Sequence, residues 1–593
     1  MSFNELTTAQ FHAAIKAGCL RLIEQKQKIN EINVFPVPDG DTGDNMAATC
    51  ASILEFSSAK DEVKATAESI ADAAMIGARG NSGILLTHFF SGLAKYLHPQ
   101  AILTFVDFSS ALEAIGSKIS SVLSKPEQGT LITLIEQLGI LAKTKRSYNS
   151  MSRAMTELLP LLFEEVQNTA NSLMKLAETR VVDAGALGFY YFIEGFSGFL
   201  QRNQTTSLRQ DSDTMTWDWS HHEELVLQMP DYRFCTEAIL KGAAFDEADI
   251  VDFLNKQGDC AAFSGNERLS KIHVHTNNPR ALFTSLHQKY TIQYPKVDDM
   301  QRQYELQFAR KHSIAIVTDS GADLPDDLLD AYQIHQFPLN IHIDDHHLLD
   351  KYSFEPDDFY KRLNHYKTHP KTSCINTNII QEKIAKLSRY YEHILVLSIS
   401  SKMSGMYDAF VEASQAHANV KVIDTKTSAA AHGLLIRYAA ELIAANASWE
   451  QVVTAVEAAR SHTVMFVLVN QFDSLIRSGR INKFSGRLAQ LAHIKPIVSV
   501  DGDGHGIIAA KCLSKTAATN KILDLLQQKA TALGSQVAEY CIVHADEPNE
   551  ANALANLSMA RFSKPPLFID AASLAIGLHA GQGCVAIAAR ISS

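Results

Sequence analysis

The spacing of apolar residues changes twice along this chain, and these changes limit what it can fold into more than any other feature. Up to about residue 200, apolar residues recur at intervals of three and four, which is typical of amphipathic helices. Residues 223–300 contain short β-rich runs, and from residue 313 onward buried strands alternate with helical stretches. Because the chain has 593 residues and a domain has roughly 150, these patterns predict a multidomain protein.

Each of the three parts has its own predicted fold class. Residues 1–202 are predicted to be an all-α domain, and residues 203–222 a polar linker. Residues 223–305 are predicted to be a small α+β domain, with strands at 233–239 and 271–276 around a helix at 247–256. Residues 313–593 are predicted to be an α/β domain with two lobes, in which a ligand binds where the loops at strand ends converge. The eight helices predicted in the first part are at 11–27, 45–56, 63–75, 84–97, 111–123, 131–141, 155–178 and 185–200.

Composition excludes several classes of protein. Hydrophobic residues at 46% and charged residues at 20% exclude wholesale disorder. The net charge of -11 has the wrong sign for binding a polyphosphate backbone, so we expect no nucleic-acid partner. The amino-terminal residues do not resemble a signal peptide and no stretch is apolar enough for an integral membrane segment, so we expect a cytoplasmic protein. The 8 cysteines include no C-x-x-C pair, which favours reduced thiols.

An acidic loop between two predicted helices is a candidate metal site. Asp39 and Asp41 alternate along a segment that Pro36, Pro38 and neighbouring glycines stiffen and bend. Alternate carboxylates of an extended loop face one side, and Mg²⁺ prefers such oxygen ligands together with phosphate and water. On these residues alone, a turn that caps the following helix is an equal alternative.

Two further loops offer donors to an anion. The run Gly80-Asn81-Ser82-Gly83 directly precedes a predicted helix, and Gly129-Thr130 opens another. The N–H groups at a helix N-terminus and a nearby hydroxyl can bind phosphate. Glycine and serine also cap helices without any ligand, but together with the acidic loop these runs indicate a site for metal and phosphate.

These motifs in order resemble the nucleotide-binding domain of the dihydroxyacetone kinase superfamily, in the form found in the kinase component of bacterial fatty acid kinase. The residues that carry the resemblance are V-F-P-V-P-D-G-D-T-G-x-N-M, G-A-R-G-N-S-G, E-x-G-T and D-A-G-A-L-G. The resemblance implies an eight-helix barrel and two Mg²⁺ ions that bridge to the phosphates of ATP. It implies Asp39, Asp41 and Asn33 as metal ligands, and Asp44 stands where threonine is more usual. The implied nucleotide pocket consists of Gly80, Asn81, Ser82, Gly83, Thr130, Asp183 and Gly185.

The middle part contains a candidate zinc site. His273 and His275 alternate on a predicted strand and therefore face the same side, and Cys235 lies in the other predicted strand. A thiolate and two imidazoles suit zinc, although a fourth ligand is needed. The alternative is that these are buried polar residues of a sheet. The segments resemble the middle domain of the same kinase component, which implies a structural Zn²⁺.

Polar clusters follow or precede the buried strands of the last part, and they resemble those of the DegV family of fatty-acid-binding proteins across residues 313–593. The resemblance implies an acyl chain buried between two α/β lobes. The residues that it implies for substrate binding are Thr372, Ser373, Ser404, Gly405, Arg480 and His579. The sequence departs from the family at Ile375, Met406, Gln582 and Lys511-Cys512-Leu513.

The two resemblances together favour a fatty acid kinase that uses ATP to phosphorylate the carboxylate of a long-chain fatty acid. We expect a homo-oligomer, and an acyltransferase that consumes the acyl phosphate as a downstream partner. The alternatives are a kinase of a small hydroxy-ketone, such as dihydroxyacetone (glycerone), and a lipid carrier or regulator without catalytic activity.

Overall fold

The computed structural model describes residues 3–33, 40–122, 126–172, 181–201, 229–242, 247–265, 269–470, 474–475 and 494–592. The chain divides into two compact units. The first comprises Met1–Pro279 and His287–Gln301, and the second comprises Arg280–Leu286 and Arg302–Ser593.

The amino-terminal part of the first unit is helical, as predicted. Its described helices are α1 (Thr8–Glu24), α2 (Lys26–Glu31), α3 (Thr42–Phe56), α4 (Val63–Gly77), α5 (Gly80–Tyr96), α6 (Phe105–Gly116), α7 (Leu131–Thr144), α8 (Met151–Thr169) and α9 (Ala184–Gln201). Their apolar faces form one core, in which Phe89 packs edge-on against Phe189 and Phe192. Two short strands, β1 (Leu6–Thr7) and β2 (Ile102–Leu103), pair with each other, so this part is not purely helical.

The rest of the first unit contains an antiparallel sheet of four strands in the order β4-β5-β3-β6. The strands are β3 (Phe234–Lys241), β4 (Gly258–Gly265), β5 (Leu269–Thr276) and β6 (Thr291–Asp299). Of the described helices, α10 (Glu247–Asn255) belongs to this unit, α11 (Pro279–Leu286) belongs to the second unit except for Pro279, and α12 (Met300–Phe308) begins in the first unit and continues into the second. The α+β class is confirmed, but the sequence predicted only two of these strands. The other two strands lack a regular alternation of apolar residues. The backbone has a positive φ angle at Cys260 in β4 and at Tyr294 in β6, and Pro295 interrupts β6.

The described residues of the second unit form three sheets. A parallel sheet has the order β13-β12-β7-β8, a mixed sheet has the order β16-β15-β14-β19-β17-β18, and a small antiparallel sheet has the order β10-β9-β11. The strands are β7 (Ile314–Asp319), β8 (His335–Phe337), β9 (Asn340–Ile343), β10 (His346–Leu349), β11 (Lys371–Ser373), β12 (His393–Ser398), β13 (Val420–Asp424), β14 (Thr463–Leu468), β15 (Lys495–Val500), β16 (Gly506–Cys512), β17 (Val537–His544), β18 (Ile569–Ala571) and β19 (Val585–Ile591). The two larger sheets correspond to the predicted two lobes.

Helices cover both larger sheets and bury their apolar faces in separate cores. They are α13 (Asp326–Ala331), α14 (Pro356–Arg362), α15 (Thr377–Ser388), α16 (Met406–Ser414), α17 (Ala429–Ala444), α18 (Trp449–Ala459), α19 (Lys515–Ala532), α20 (Pro548–Phe562) and α21 (Leu574–Ala580). Among the helices that the structure describes, none has the length and apolar character needed to cross a bilayer.

Candidate functional site

The described part of the acidic loop leads directly into α3. Asp41 is the residue before this helix, and its Oδ1 accepts a hydrogen bond of 2.8 Å from Nδ2 of Asn45. Asn33, the other described candidate ligand, is buried, with 5% of its surface exposed. The third, Asp39, lies outside the described residues. Oxygen ligands of this kind suit a hard cation such as Mg²⁺.

Asp44 is set apart from these candidate ligands. Its carboxylate accepts hydrogen bonds from Nζ of Lys26 at 3.0 Å and from Nδ2 of Asn30 at 2.8 Å, and it is exposed. The replacement of the usual threonine by aspartate therefore adds a charge that Lys26 already balances.

The second predicted loop lies at the start of α5, which begins at Gly80. Gly80 has a φ angle of +59°, which is strained for other residues, and a Cβ atom on it would lie 2.6 Å from Nδ2 of Asn45 and would displace that amide. Oδ1 of Asn81 is shielded from solvent without a hydrogen-bond partner among the described residues. A polar atom in this state is a candidate ligand contact.

Thr130, Asp183 and Gly185 come together where α7 and α9 begin. Thr130 is the N-cap of α7, and Oδ1 of Asp183 accepts a hydrogen bond of 2.7 Å from the N–H of Ala186 in the first turn of α9. A Cβ on Gly185 would lie 3.2 Å from Cβ of Leu131, the first residue of α7. Burial raises the pKa of Asp183 to about 6, despite hydrogen bonds from backbone N–H groups. The structure thus brings these three predicted residues together.

The candidate zinc ligands also lie together. Cys235 on β3 is directly opposite His275 on β5, and one ligand atom from each of Cys235, His273 and His275 lies within 4.8 Å of the others. Sγ of Cys235 is 3.8 Å from Nδ1 of His273, and Nε2 of His273 is buried without a hydrogen-bond partner among the described residues. Asp259 Oδ1 is 3.1 Å from Nδ1 of His275. This donor set fits zinc, and Asp259 lies close enough to His275 to supply a fourth ligand.

Burial dominates the electrostatics of this cluster, which we call the Cys-His cluster (Cys235, His273 and His275). Burial raises the pKa of Cys235 well above its ordinary value and lowers the pKa of His273. A neutral imidazole is the form that binds a metal, whereas the thiol loses its proton when it binds one.

A cavity of about 160 Å³ lies within the second unit. Most of its wall is apolar, and the mixed sheet contributes Met465, Val467, Val498, Val543 and Ala586 to it. Five of the six predicted substrate-binding residues line it: Thr372, Ser373, Ser404, Gly405 and His579. The sixth, Arg480, lies outside the described residues. A mostly apolar cavity with a few polar groups is typical of a site that binds a small molecule.

The polar groups of the cavity are held by hydrogen bonds. Oγ1 of Thr372 lies 2.8 Å from Nε2 of His579, and Oγ of Ser373 lies 2.8 Å from Nε2 of His342. Oγ of Ser404 accepts a hydrogen bond from the N–H of Met406. Hydroxyl and imidazole donors in such an arrangement can bind a carboxylate.

Buried carboxylates anchor α21, the short helix that carries His579. Asp323 Oδ1 accepts a 2.8 Å hydrogen bond from the N–H of Ser573, and Asp350 Oδ1 accepts one of 3.3 Å from the N–H of Ala575. A Cβ on Gly577 would lie 1.9 Å from the hydroxyl of Tyr360, so only glycine permits this approach. Asp323 follows the buried strand β7 (Ile314–Asp319), and the sequence alone did not predict this role for it.

Several lining residues were missed by sequence reasoning. Cys374, Ser428, Ser499 and His544 also line the cavity. Ser499 and His544 lie on strands β15 and β17 among apolar residues, and no motif distinguished them.

Three family models match successive parts of the chain. The "DAK2 domain" model matches residues 36–198. The model for the middle domain of fatty acid kinase A-like proteins matches residues 231–307. The model described as "Uncharacterised protein, DegV family" matches residues 313–591. The chain therefore carries these three domains in one polypeptide.

Curated relatives match one part of the chain. "Protein YloV" of Bacillus subtilis is 27% identical over 323 residues, which are 51% of this chain and 57% of that protein. An uncharacterised protein of Staphylococcus epidermidis is 28% identical over 308 residues, which are 50% of this chain and 55% of that protein. The chain thus spans only a little over half the length of the curated relatives it matches.

Solved structures resemble about half of the chain. A fatty acid binding DegV family protein from Thermus thermophilus is 23% identical with a TM-score of 0.44, and covers 47% of this chain and 99% of its own. DegV of Bacillus subtilis, described as a fatty acid binding protein, is 24% identical with a TM-score of 0.44, and covers 48% of this chain and 100% of its own.

Proposed function

We propose that this chain, which joins a DAK2 domain, a fatty acid kinase A-like middle domain and a DegV domain, is a fatty acid kinase. It transfers the γ-phosphoryl group of ATP to the carboxylate of a long-chain fatty acid and releases ADP and an acyl phosphate. One observation carries the proposal: a chain with a domain of a kinase family also contains a mostly apolar cavity that hydroxyl groups and an imidazole help to line.

We assign nucleotide binding to the first unit. Asp41, together with Asp39 and Asn33, supplies oxygen ligands of the kind that Mg²⁺ prefers. Asn81, Ser82 and Gly83 at the start of α5, and Thr130 at the start of α7, are placed at helix N-termini, which favour phosphate. When bound, two Mg²⁺ ions neutralise the charge of the phosphates during transfer.

We assign binding of the phosphoryl acceptor, the fatty acid, to the second unit. The apolar wall of the cavity holds the acyl chain, and Thr372 and His579 bind the carboxylate. An oxygen of the carboxylate forms a bond to the γ-phosphorus, and the bond from that phosphorus to the bridging oxygen of ADP breaks. The electron pair of that bond stays with ADP. Because a carboxylate has no proton to lose near pH 7, the reaction needs alignment and charge neutralisation rather than a general base.

Joining the two units in one chain raises the effective concentration of the acceptor at the donor. An acyl phosphate is an activated acyl donor, so we further propose that a downstream acyltransferase consumes it. We also retain the proposal that the chain forms a homo-oligomer in the cytoplasm.

The test is an assay of the full chain with MgATP and either oleate, palmitate or dihydroxyacetone. We expect ADP release that depends on the fatty acid, and a product that hydroxylamine traps as a hydroxamate. Phosphorylation of dihydroxyacetone instead would favour the small-ketone kinase. Fatty acid binding without ADP release under any condition would favour a carrier or regulator.

A further inference from the structure

A carboxylate from the middle sheet is bonded to the first residue of the predicted phosphate-binding loop. Glu237 lies on β3 opposite His273, and its side chain is fully buried. Its Oε1 accepts a hydrogen bond of 2.5 Å from the N–H of Gly80, the first residue of the 17-residue helix α5. The N-terminus of this helix therefore already holds an anion that belongs to the protein.

The charge of Glu237 is balanced within the middle sheet. Its Oε2 lies 3.1 Å from Nζ of Lys271, which is also buried. A buried ion with this partner is costly to move, so the contact with Gly80 is a fixed feature of the first unit.

From Gly80 the contacts continue to the acidic loop. Gly80 packs against the side-chain amide of Asn45, and that amide donates to Asp41 at 2.8 Å. A displacement of Gly80 would therefore disturb both the loop that follows it and the orientation of a candidate Mg²⁺ ligand.

Glu237 also contacts the Cys-His cluster. Oε1 of Glu237, the oxygen bonded to Gly80, lies 3.3 Å from Nδ1 of His273. Nδ1 of His273 in turn lies 3.8 Å from Sγ of Cys235. Glu237 is thus in direct contact with both the start of α5 and a member of the Cys-His cluster.

We propose that Glu237 is a positioning residue that holds the Gly80–Gly83 loop for MgATP and couples this loop to metal in the Cys-His cluster. The inference rests on the proposed nucleotide-binding role of the first unit. His273, if it held a metal, would have its ring fixed, and its contact with Glu237 would in turn fix the carboxylate that accepts from the N–H of Gly80. Metal in the cluster and nucleotide in the pocket therefore strengthen each other's binding by the same factor.

The experiment compares MgADP binding by zinc-loaded and zinc-depleted full-length protein, with titration calorimetry and metal analysis. Zinc removal is expected to raise the Kd of wild-type protein for MgADP about fivefold or more, within the usual range of allosteric coupling. The E237Q variant should retain zinc, bind MgADP more weakly than wild type and respond little to zinc removal. The control D299N removes a charge from the Arg233–Asp299 ion pair on the same sheet and should behave as wild type.

A reciprocal measurement needs no variant. The zinc affinity of wild-type protein should rise by the same factor when MgADP is present, and equal affinities would overturn the inference. Loss of zinc from E237Q would overturn it too, because Glu237 would then be a zinc ligand. If E237Q bound MgADP as tightly as wild type and responded to zinc removal as wild type does, this inference would be overturned while the proposed function would stand. Absence of MgADP binding by wild-type protein would remove the proposed function and this inference together.

Discussion

The hydroxyl of Thr372 lies 2.8 Å from Nε2 of His579, although 207 residues separate them in the chain. Thr372 is on β11, which pairs with β9 in the small antiparallel sheet. His579 is on α21, whose first turn is anchored by Asp323 and Asp350. The candidate head-group site therefore depends on a sheet and a helix that belong to distant parts of the chain.

The first prediction concerns this pair. His579→Ala should lower the rate of acyl phosphate formation roughly tenfold or more, because alignment of the carboxylate is lost. It should change the Kd for oleate only about threefold, because the buried acyl chain supplies most of the binding free energy. Steady-state kinetics and oleate titration measure the two effects. His462→Ala, outside the cavity, is the control, and an equal loss of rate and affinity in His579→Ala would contradict the assigned role.

The second prediction concerns two aspartates of one loop. Asp41→Asn should reduce kinase activity by about a hundredfold or more, because an anionic Mg²⁺ ligand is lost. Asp44→Asn should retain activity within a few-fold, because Asp44 is exposed and paired with Lys26. Rates measured across a range of Mg²⁺ concentrations check both variants. Similar activity of the two variants would argue against Asp41 as a ligand.

The third prediction concerns the metal of the middle domain. Protein purified without added zinc should contain about one zinc per chain, and removal of the metal should lower the Tm of the first unit. Cys235→Ser should lose the metal, whereas Cys512→Ser, on β16 of the second unit, should keep it. Metal analysis and thermal unfolding provide the measurements. A stable wild-type protein without metal would leave these residues as buried polar groups of the sheet.

The fourth prediction concerns pH and Asp323. Burial raises the pKa of Asp323 from 3.8 to about 7, and its Oδ2 is buried without a hydrogen-bond partner among the described residues. The folded protein therefore holds a proton there that the unfolded chain has released, and this favourable contribution is complete below about pH 4 and disappears as the pH rises to about 7. Asp323→Asn keeps the acceptor for Ser573 and cannot ionise.

We therefore expect Asp323→Asn to be more stable than wild type near pH 8, by up to about 4 kcal/mol at roughly 1.4 kcal/mol per pKa unit. The difference should shrink towards pH 4. Thermal unfolding of both proteins from pH 4.5 to 8.5 measures it. A constant difference across this range would mean that Asp323 does not titrate as described.

The fifth prediction concerns chain length. Each methylene buried in the cavity contributes roughly 0.8 kcal/mol, so the affinity for saturated fatty acids should rise with chain length until the cavity is full. Titration of the full-length protein with a series of fatty acids determines where the increase stops. Equal affinity for short and long acids would argue against an acyl-chain site.

The amino-acid sequence by itself determined the helices of the first part and the buried strands of the last part. Apolar spacing is a local property, and α4, α5 and α7 begin within four residues of their predicted starts. The motifs also identified Thr372, Ser404 and His579, all of which line the cavity. Strands β4 and β6 were missed because bulges and a proline interrupt their alternation.

Only the tertiary structure decided which distant groups meet. Glu237 lies only two residues after Cys235, yet nothing in the sequence predicted that its carboxylate bonds to Gly80, 157 residues earlier in the chain. Asp323 reaches Ser573 across 250 residues. Such contacts arise when whole helices and sheets pack together. The packing removes these polar groups from water, so each of them forms its hydrogen bond with a group on the surface packed against it. A local sequence pattern does not show which surface will pack against it. For this reason the sequence predicted candidate ligands but not the residues that hold them in place.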